Sequence, residues 1–157
     1  MRAITVCQPW AWLIAEGYKP VENRPSPFQW RGMVNTDVAI HAGLSREFFT
    51  DHAWSMVRHA EREKPAHARL TGPSELVYGA VVAVAYVRAV VSAEAARTWF
   101  KGSANALEYI DGPWCIILER VRKLAAPVAC RGYQGAWVVP PDVARNVIGQ
   151  VVGAAKA

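Results

Sequence analysis

Gly17-Tyr18-Lys19-Pro20-Val21-Glu22-Asn23-Arg24 is the stretch on which the reading of this chain turns. Before it stands Gln8-Pro9-Trp10-Ala11-Trp12, and after it Trp30-Arg31-Gly32. A lysine, a glutamate, an asparagine and two arginines thus lie close in sequence to three tryptophans. A short apolar helix and the strand that follows it do not need this mixture to fold. A cleft for a flat, anionic ligand does: rings give stacking surface, and Lys and Arg heads hold phosphate or carbonyl oxygens.

Working outward, residues 2–7 predict a strand. Pro9 in a first helical turn, residues 10–16 and a closing Gly17 predict a short helix with a glycine stop. Residues 20–24 read as extended, and Pro25-Ser26-Pro27 breaks that strand. A longer strand is expected over 30–41, bulged near Gly32. Ser45 is placed to cap a helix with Phe48, Phe49, Ala53, Met56, Val57 and Ala60 on its apolar stripe, frayed before Pro65. Residues 65–75 form a surface loop in this reading, and 76–90 a long β-branched strand. Ser92 caps a helix over 93–100, which Gly102-Ser103 ends. Gly112-Pro113 opens a strand over 114–121, and short elements follow at 128–131 and 135–139. Pro140-Pro141 starts a C-terminal helix over 142–152. Five or six strands with helices inserted between them predict an α+β fold built on a small closed sheet.

The chain has 157 residues, 52 % of them hydrophobic and 20 % charged, which is one globular domain's worth of sequence with a real core. Its apolar runs, such as residues 80–87 and 114–118, are far short of the roughly 18 residues of a membrane span. Residues 1–6 read as a strand opening rather than a signal peptide, so a cytoplasmic location and no membrane partner are expected. Cys7, Cys115 and Cys130 are odd in number, widely spaced and set in apolar surroundings, which reads as buried free thiols. The formal net charge is +5, and it is unevenly spread. Residues 112–157 hold six Lys/Arg against two Asp/Glu, whereas residues 1–111 hold twelve against eleven. Arg120, Arg122, Lys123, Arg131, Arg145 and Lys156 carry the excess, as either a phosphate-attracting patch or a solvated basic face.

Three enzyme patterns drop out. His59-Ala60-Glu61 opens like a zinc deaminase motif, yet no P-C-x-x-C follows. His52 and His59 would stand about 10 Å apart along a helix, too far for one ion. Nucleophile-elbow and phosphate-loop glycine patterns are absent. No metal and no cofactor are expected. His41, at a strand end before Ala42-Gly43, either lines a cleft or packs. Lys19 and Glu22 form either a plain surface ion pair or, in a closed cleft, a proton donor beside a base.

The chain resembles the ASCH family, a branch of the PUA-like superfamily. The resemblance rests on V-C-Q-P-W-A-W-L-I at 6–14 and on G-Y-K-P-V-E-N-R at 17–24, which matches a G-x-K-x-x-E-x-R pattern. It continues through W-R-G at 30–32, I-H-A at 40–42, G-A-V-V-A-V-A at 79–85, G-P-W-C-I-I-L at 112–118 and C-R-G-Y-Q-G-A-W at 130–137. The weakest match is the helix-loop insertion at about 45–75 in a single domain over 1–157. The resemblance implies a small PUA-like β-barrel with peripheral helices and a cleft beside the G-x-K-x-x-E-x-R loop. It also implies an association with RNA: binding, RNA cleavage, or deacetylation of N4-acetylcytidine. Lys19 takes the lysine position of the deacetylating relatives, which carry a threonine three residues on, where this chain has Glu22. Their distal glutamate has Glu94 and Glu108 as candidates.

Two expectations follow. In the first, RNA or a nucleotide is bound: a base stacks on Trp10 or Trp30, Gln8 or Asn23 reads its edge, and Lys19, Arg24 and Arg31 hold phosphates, with Trp114 and Arg131 completing the set. In the second, the cleft hydrolyses RNA or a modified nucleoside, with Lys19 and Glu22 as the central pair and His41 or Tyr18 moving the proton. A protein-interaction module anchored by exposed tryptophans is a third class.

Overall fold

The structure is a computed structural model and describes residues 1–47, 49–63, 70 and 72–154. Its strands are β1 (Arg2–Val6), β2 (Val21–Arg24), β3 (Asp37–Ala42), β4 (Ala80–Ser92), β5 (Trp114–Ala129) and β6 (Ala136–Val138). They form one sheet in the order β2-β5-β4-β3-β1-β6. Only β1 and β3 run parallel; every other neighbouring pair is antiparallel. Among the described residues β2 and β6 do not pair with each other, so the expected barrel is a curled half-barrel, open between these two edges. Bulges between Ile40 and His41 in β3, and at three points where β4 meets β5, supply the curl.

Among the described residues five α-helices pack around the sheet: α1 (Trp10–Ala15), α2 (Asp51–Glu63), α3 (Ala93–Trp99), α4 (Ala104–Glu108) and α5 (Pro141–Ala154). Ile4, Val6, Val38 and Ile40 meet Ile14 of α1 on the inner face. The other face of β1 and β3, through Ala3 and Ala39, packs on Val143 and Val147 of α5. Leu13, Val21, Cys115 and Ile117 join Met56 and Val57 of α2 in a third cluster. The alternation of period two within a strand sends neighbours to different clusters, so Ala3 and Ile4 in β1, and Val38 and Ala39 in β3, are apolar side by side.

Four local predictions need correction. Residues 30–41 are not one long strand: Arg31–Met33 is a turn of 3-10 helix and β3 begins at Asp37. The chain leaves Pro27 in a helical turn, with the amides of Trp30 and Arg31 donating to the Pro27 carbonyl, and Asn35 then takes a positive φ of 62°. Ser45 does not cap α2. Its hydroxyl accepts from the Glu47 amide only two residues on, whereas the Thr50 hydroxyl accepts from Ala53 at 3.1 Å and starts the helix at Asp51. Phe48, expected on the apolar stripe, lies outside the described residues, as do 64–69. The strand expected over 76–90 begins at Ala80, and the one expected over 114–121 continues to Ala129. No helix of the described residues is long and apolar enough to cross a membrane.

Candidate functional site

Gly17 decides where Lys19 goes. At φ +78° it ends α1 in the left-handed region, and the amides of Tyr18 and Lys19 both turn back to the Leu13 carbonyl. Lys19 is thereby folded under its own helix, 3 % exposed, with Nζ 6.0 Å from the centre of the Trp10 ring. The ammonium donates to the Val21 carbonyl and, at 2.8 Å, to Glu22 Oε2. In β2 the period of two sets Glu22 and Arg24 on one face. Arg24 Nη2 lies 3.1 Å from Glu22 Oε1 and donates to the Thr5 carbonyl at 2.8 Å. The Arg24 guanidinium sits 4.6 Å from the centre of the Trp30 ring. A buried cation–anion–cation chain thus spans the open side of the half-barrel, tying β2 to β1.

This chain forms the floor of a cleft of about 510 Å³. Trp10, Lys19, Glu22, Asn23 and Arg24 line it, joined by Thr5 and Cys7 of the β1 end. Thr50 and His52 from the start of α2, with Glu108 at the end of α4 and Asp111 just after it, close its rim. Asn23 is spent on architecture: its amide donates to the Tyr109 carbonyl at 2.8 Å and accepts from the Asp111 amide at 3.1 Å, fastening that rim. Burial, helped by the Glu22 carboxylate, pushes the Cys7 thiol above its usual range, so Cys7 presents a protonated thiol and not a nucleophile at neutral pH.

A second cleft of about 680 Å³ adjoins the first and shares Thr5, Cys7, Arg24 and Pro25 with it. His41 is here, not beside Lys19. It is 1 % exposed, its Nε2 lies 3.0 Å from the Cys130 carbonyl, and its Nδ1 is 3.4 Å from the Thr5 hydroxyl. Trp137 meets the imidazole edge-on at 5.5 Å, and burial lowers the His41 pKa from its usual value. The Thr5 hydroxyl donates to the Tyr133 carbonyl at 2.9 Å and accepts from Trp137 Nε1 at 3.1 Å. Trp30 and Arg131 also line this cleft.

Other sequence candidates lie elsewhere. Gln8 is buried; it donates to the Val77 carbonyl at 2.6 Å and accepts from the Trp12 amide at 3.0 Å, so it holds α1 and not a ligand. Tyr18 stacks near Trp12 at 5.8 Å, outside both clefts, and burial pushes its phenol above the usual range. Arg31 is exposed between the Phe28 and Trp114 rings, 5.9 and 5.8 Å from their centres, and is not among the residues that line either cleft. The C-terminal basic excess is not one patch: Arg122 pairs with Asp37 at 2.7 Å, Lys123 pairs with Glu16, and Arg120 lies 3.8 Å over Tyr86. Lys156 is outside the described residues. Among the described residues no group of three His, Cys, Asp or Glu side chains could hold a metal ion.

Sequence reasoning missed Thr5, Cys7, Thr50, His52 and Asp111 as lining residues. Cys7 lies inside the V-C-Q-P-W string, which was the available signal; nothing in the sequence marks Thr50 or His52.

No family model matches the sequence, and no curated protein matches it. Solved structures do. The chain is similar to the crystal structure of ASCH from Zymomonas mobilis, at 13 % identity over 94 % of this chain and 93 % of that one, with a TM-score of 0.50. Two mutant forms of the same protein match at 14 and 15 % identity with the same TM-score, covering 94 and 96 % of those chains. This chain has the ASCH fold. At such identity the likeness concerns the course of the chain and not its chemistry.

Proposed function

We propose that this ASCH fold binds RNA, and that the first cleft takes one nucleoside unit with its base against Trp10. The observation that carries this is the buried Lys19–Glu22–Arg24 chain at the floor of a cleft of about 510 Å³ with an indole for a wall. Such a volume is within the range of small-ligand sites. A base edge carries donors and acceptors together, and an ammonium beside a carboxylate matches that pattern as a purely basic patch does not. The carboxylates of Glu22, Glu108 and Asp111 around the cleft disfavour a phosphate there, which leaves the phosphate to the Arg24 side. With Arg122 and Lys123 committed to Asp37 and Glu16, affinity rests on the clefts.

The test is fluorescence anisotropy with a labelled 12-nucleotide single-stranded RNA. Trp10→Leu keeps the apolar packing and removes the ring; it should weaken binding about ten-fold, since stacking is worth about 1–3 kcal/mol per base. Arg122→Ala with Lys123→Ala should leave both affinity and salt slope unchanged. Absence of binding by the wild-type chain, or an unchanged affinity in Trp10→Leu, refutes the reading.

One observation favours a second reading: Lys19 Nζ stands 2.8 Å from Glu22 Oε2 at the cleft floor, an acid–base pair able to polarise a water against an amide or phosphate. The cleft would then hydrolyse RNA or a modified nucleoside such as N4-acetylcytidine. Intact mass measurement of an RNA carrying one N4-acetylcytidine, before and after incubation, distinguishes the two. Loss of the acetyl group or fragmentation establishes turnover, and an unchanged mass leaves binding alone.

A further inference from the structure

We propose that the second cleft takes the neighbouring nucleotide of the same strand, so that the smallest full ligand is a dinucleotide whose bridging phosphate lies over Arg24. This deepens the RNA-binding reading and rests on it. Four residues, Thr5, Cys7, Arg24 and Pro25, line both clefts, so the two spaces adjoin along a shared wall. With volumes of about 510 and 680 Å³, each is large enough for one nucleotide.

The charges differ in the way a strand requires. In the first cleft the carboxylates of Glu22, Glu108 and Asp111 outnumber the cations Lys19 and Arg24, whereas Arg24 and Arg131 are the charged side chains of the second, with no carboxylate among its lining residues. An anionic linkage therefore finds its favourable place from the shared wall towards the second cleft. Arg24 is held there beforehand: one guanidinium nitrogen bonds the Thr5 carbonyl and Glu22, and the planar group rests on Trp30. A fixed cation needs no ordering when a phosphate arrives.

The second cleft also offers a ring. Tyr133 is 50 % exposed, with the Arg131 guanidinium 5.3 Å from its ring centre and Trp137 edge-on at 5.5 Å. Its loop, residues 130–135, is pinned rather than draped. The Cys130 amide donates to the Gly79 carbonyl at 3.1 Å, its carbonyl meets His41 Nε2, and the Tyr133 carbonyl accepts from Thr5. Gly132 lies so near the imidazole that a Cβ there would stand 2.3 Å from His41 Cε1. His41 and Thr5 are thus positioning residues, burying polar groups to hold an exposed aromatic in place. A half-exposed ring with an adjacent arginine is the platform on which single-stranded bases stack.

The test displaces the labelled 12-nucleotide RNA from the full chain with unlabelled competitors: the four nucleoside 5′-monophosphates and the four homodinucleotides bearing a 5′-phosphate. The preferred dinucleotide should compete about ten-fold or more better than its mononucleotide. Arg131→Ala combined with Tyr133→Ala changes only exposed loop side chains, and should abolish that gain while leaving mononucleotide competition within about two-fold. Dinucleotides no better than mononucleotides, or a gain that survives the double variant, overturn the second subsite and leave the first cleft's reading standing. If the wild-type chain does not bind the labelled RNA, both proposals fall together.

Discussion

Glu22→Gln is the substitution whose outcome the geometry predicts most sharply, because Glu22 is the one anion between two cations. Its carboxylate meets Lys19 at 2.8 Å and Arg24 at 3.1 Å, with side-chain exposures of 3, 11 and 17 % along the chain. The glutamine is of the same size, so no cavity opens, and the loss is electrostatic. The amide keeps one acceptor oxygen, so one hydrogen bond loses its charge assistance, about 1 kcal/mol, and the other is lost as the NH2 group faces a cationic donor. Lys19, largely out of water, is left with an unbalanced charge facing Arg24. Removing one partner of a fully buried pair costs about 3–5 kcal/mol. The exposure of Arg24 and the remaining amide oxygen discount that figure, and about 3 kcal/mol is expected. In a domain of this length that is a fall in Tm of about 6–12 °C. Lys19→Met should cost clearly less, since Glu22 keeps Arg24 and a buried ammonium is replaced by an apolar chain of similar reach. Urea denaturation, followed by both fluorescence and far-UV circular dichroism, measures both variants. If Glu22→Gln lies within about 1 kcal/mol of wild type, or Lys19→Met is the costlier, the ion chain does not organise the cleft floor.

Gly132→Ala forces a Cβ to within 2.3 Å of His41 Cε1 and 3.0 Å of Thr5 Oγ1, so the 130–135 loop must move. A loss of about 1–3 kcal/mol is expected together with altered tryptophan fluorescence from Trp137, and an unchanged spectrum and stability would contradict the close packing. His41 has a folded pKa below its ordinary value, so between the two values the unfolded chain binds the extra proton. Its contribution to stability is therefore complete above about pH 6.5 and is lost as the pH falls through the lower, folded pKa. Stability profiles of wild type and His41→Asn between pH 7.5 and about 5 should show this decline in the wild type in excess of the variant; parallel profiles refute it.

Much of the local architecture is written in nearby residues. Gly17 ends α1 because a left-handed residue costs glycine little, and the resulting reversal needs only the carbonyl of Leu13, four residues before it. Ser92 caps α3 through the Ala95 amide at 3.2 Å, as its place before an alanine-rich run implies. The pairing of Glu22 with both Lys19 and Arg24 follows from a bend and a strand period, and was legible as a cluster in the G-Y-K-P-V-E-N-R stretch. Where a local signal had a local competitor, the reading slipped. Ser45 and Thr50 both offer a capping hydroxyl, and only Thr50 stands where the amides of α2 are free.

The two clefts are a different matter. Whether Lys19 is a surface lysine or a cleft floor depends on Thr5, Thr50, and Glu108 with Asp111 arriving from three other places in the chain. His41 is held in place because Cys130, 89 residues away, brings its carbonyl to Nε2. The basic residues that composition grouped as one face are divided by Asp37 and Glu16, partners that no spacing within 112–157 announces. Sequence by itself determined the polar and aromatic inventory and the conformations that neighbouring residues impose on each other. Only the curled sheet decided which charges meet, because ion pairs and cleft walls depend on through-space distance, and strand pairing joins segments whose separation along the chain carries no information about it.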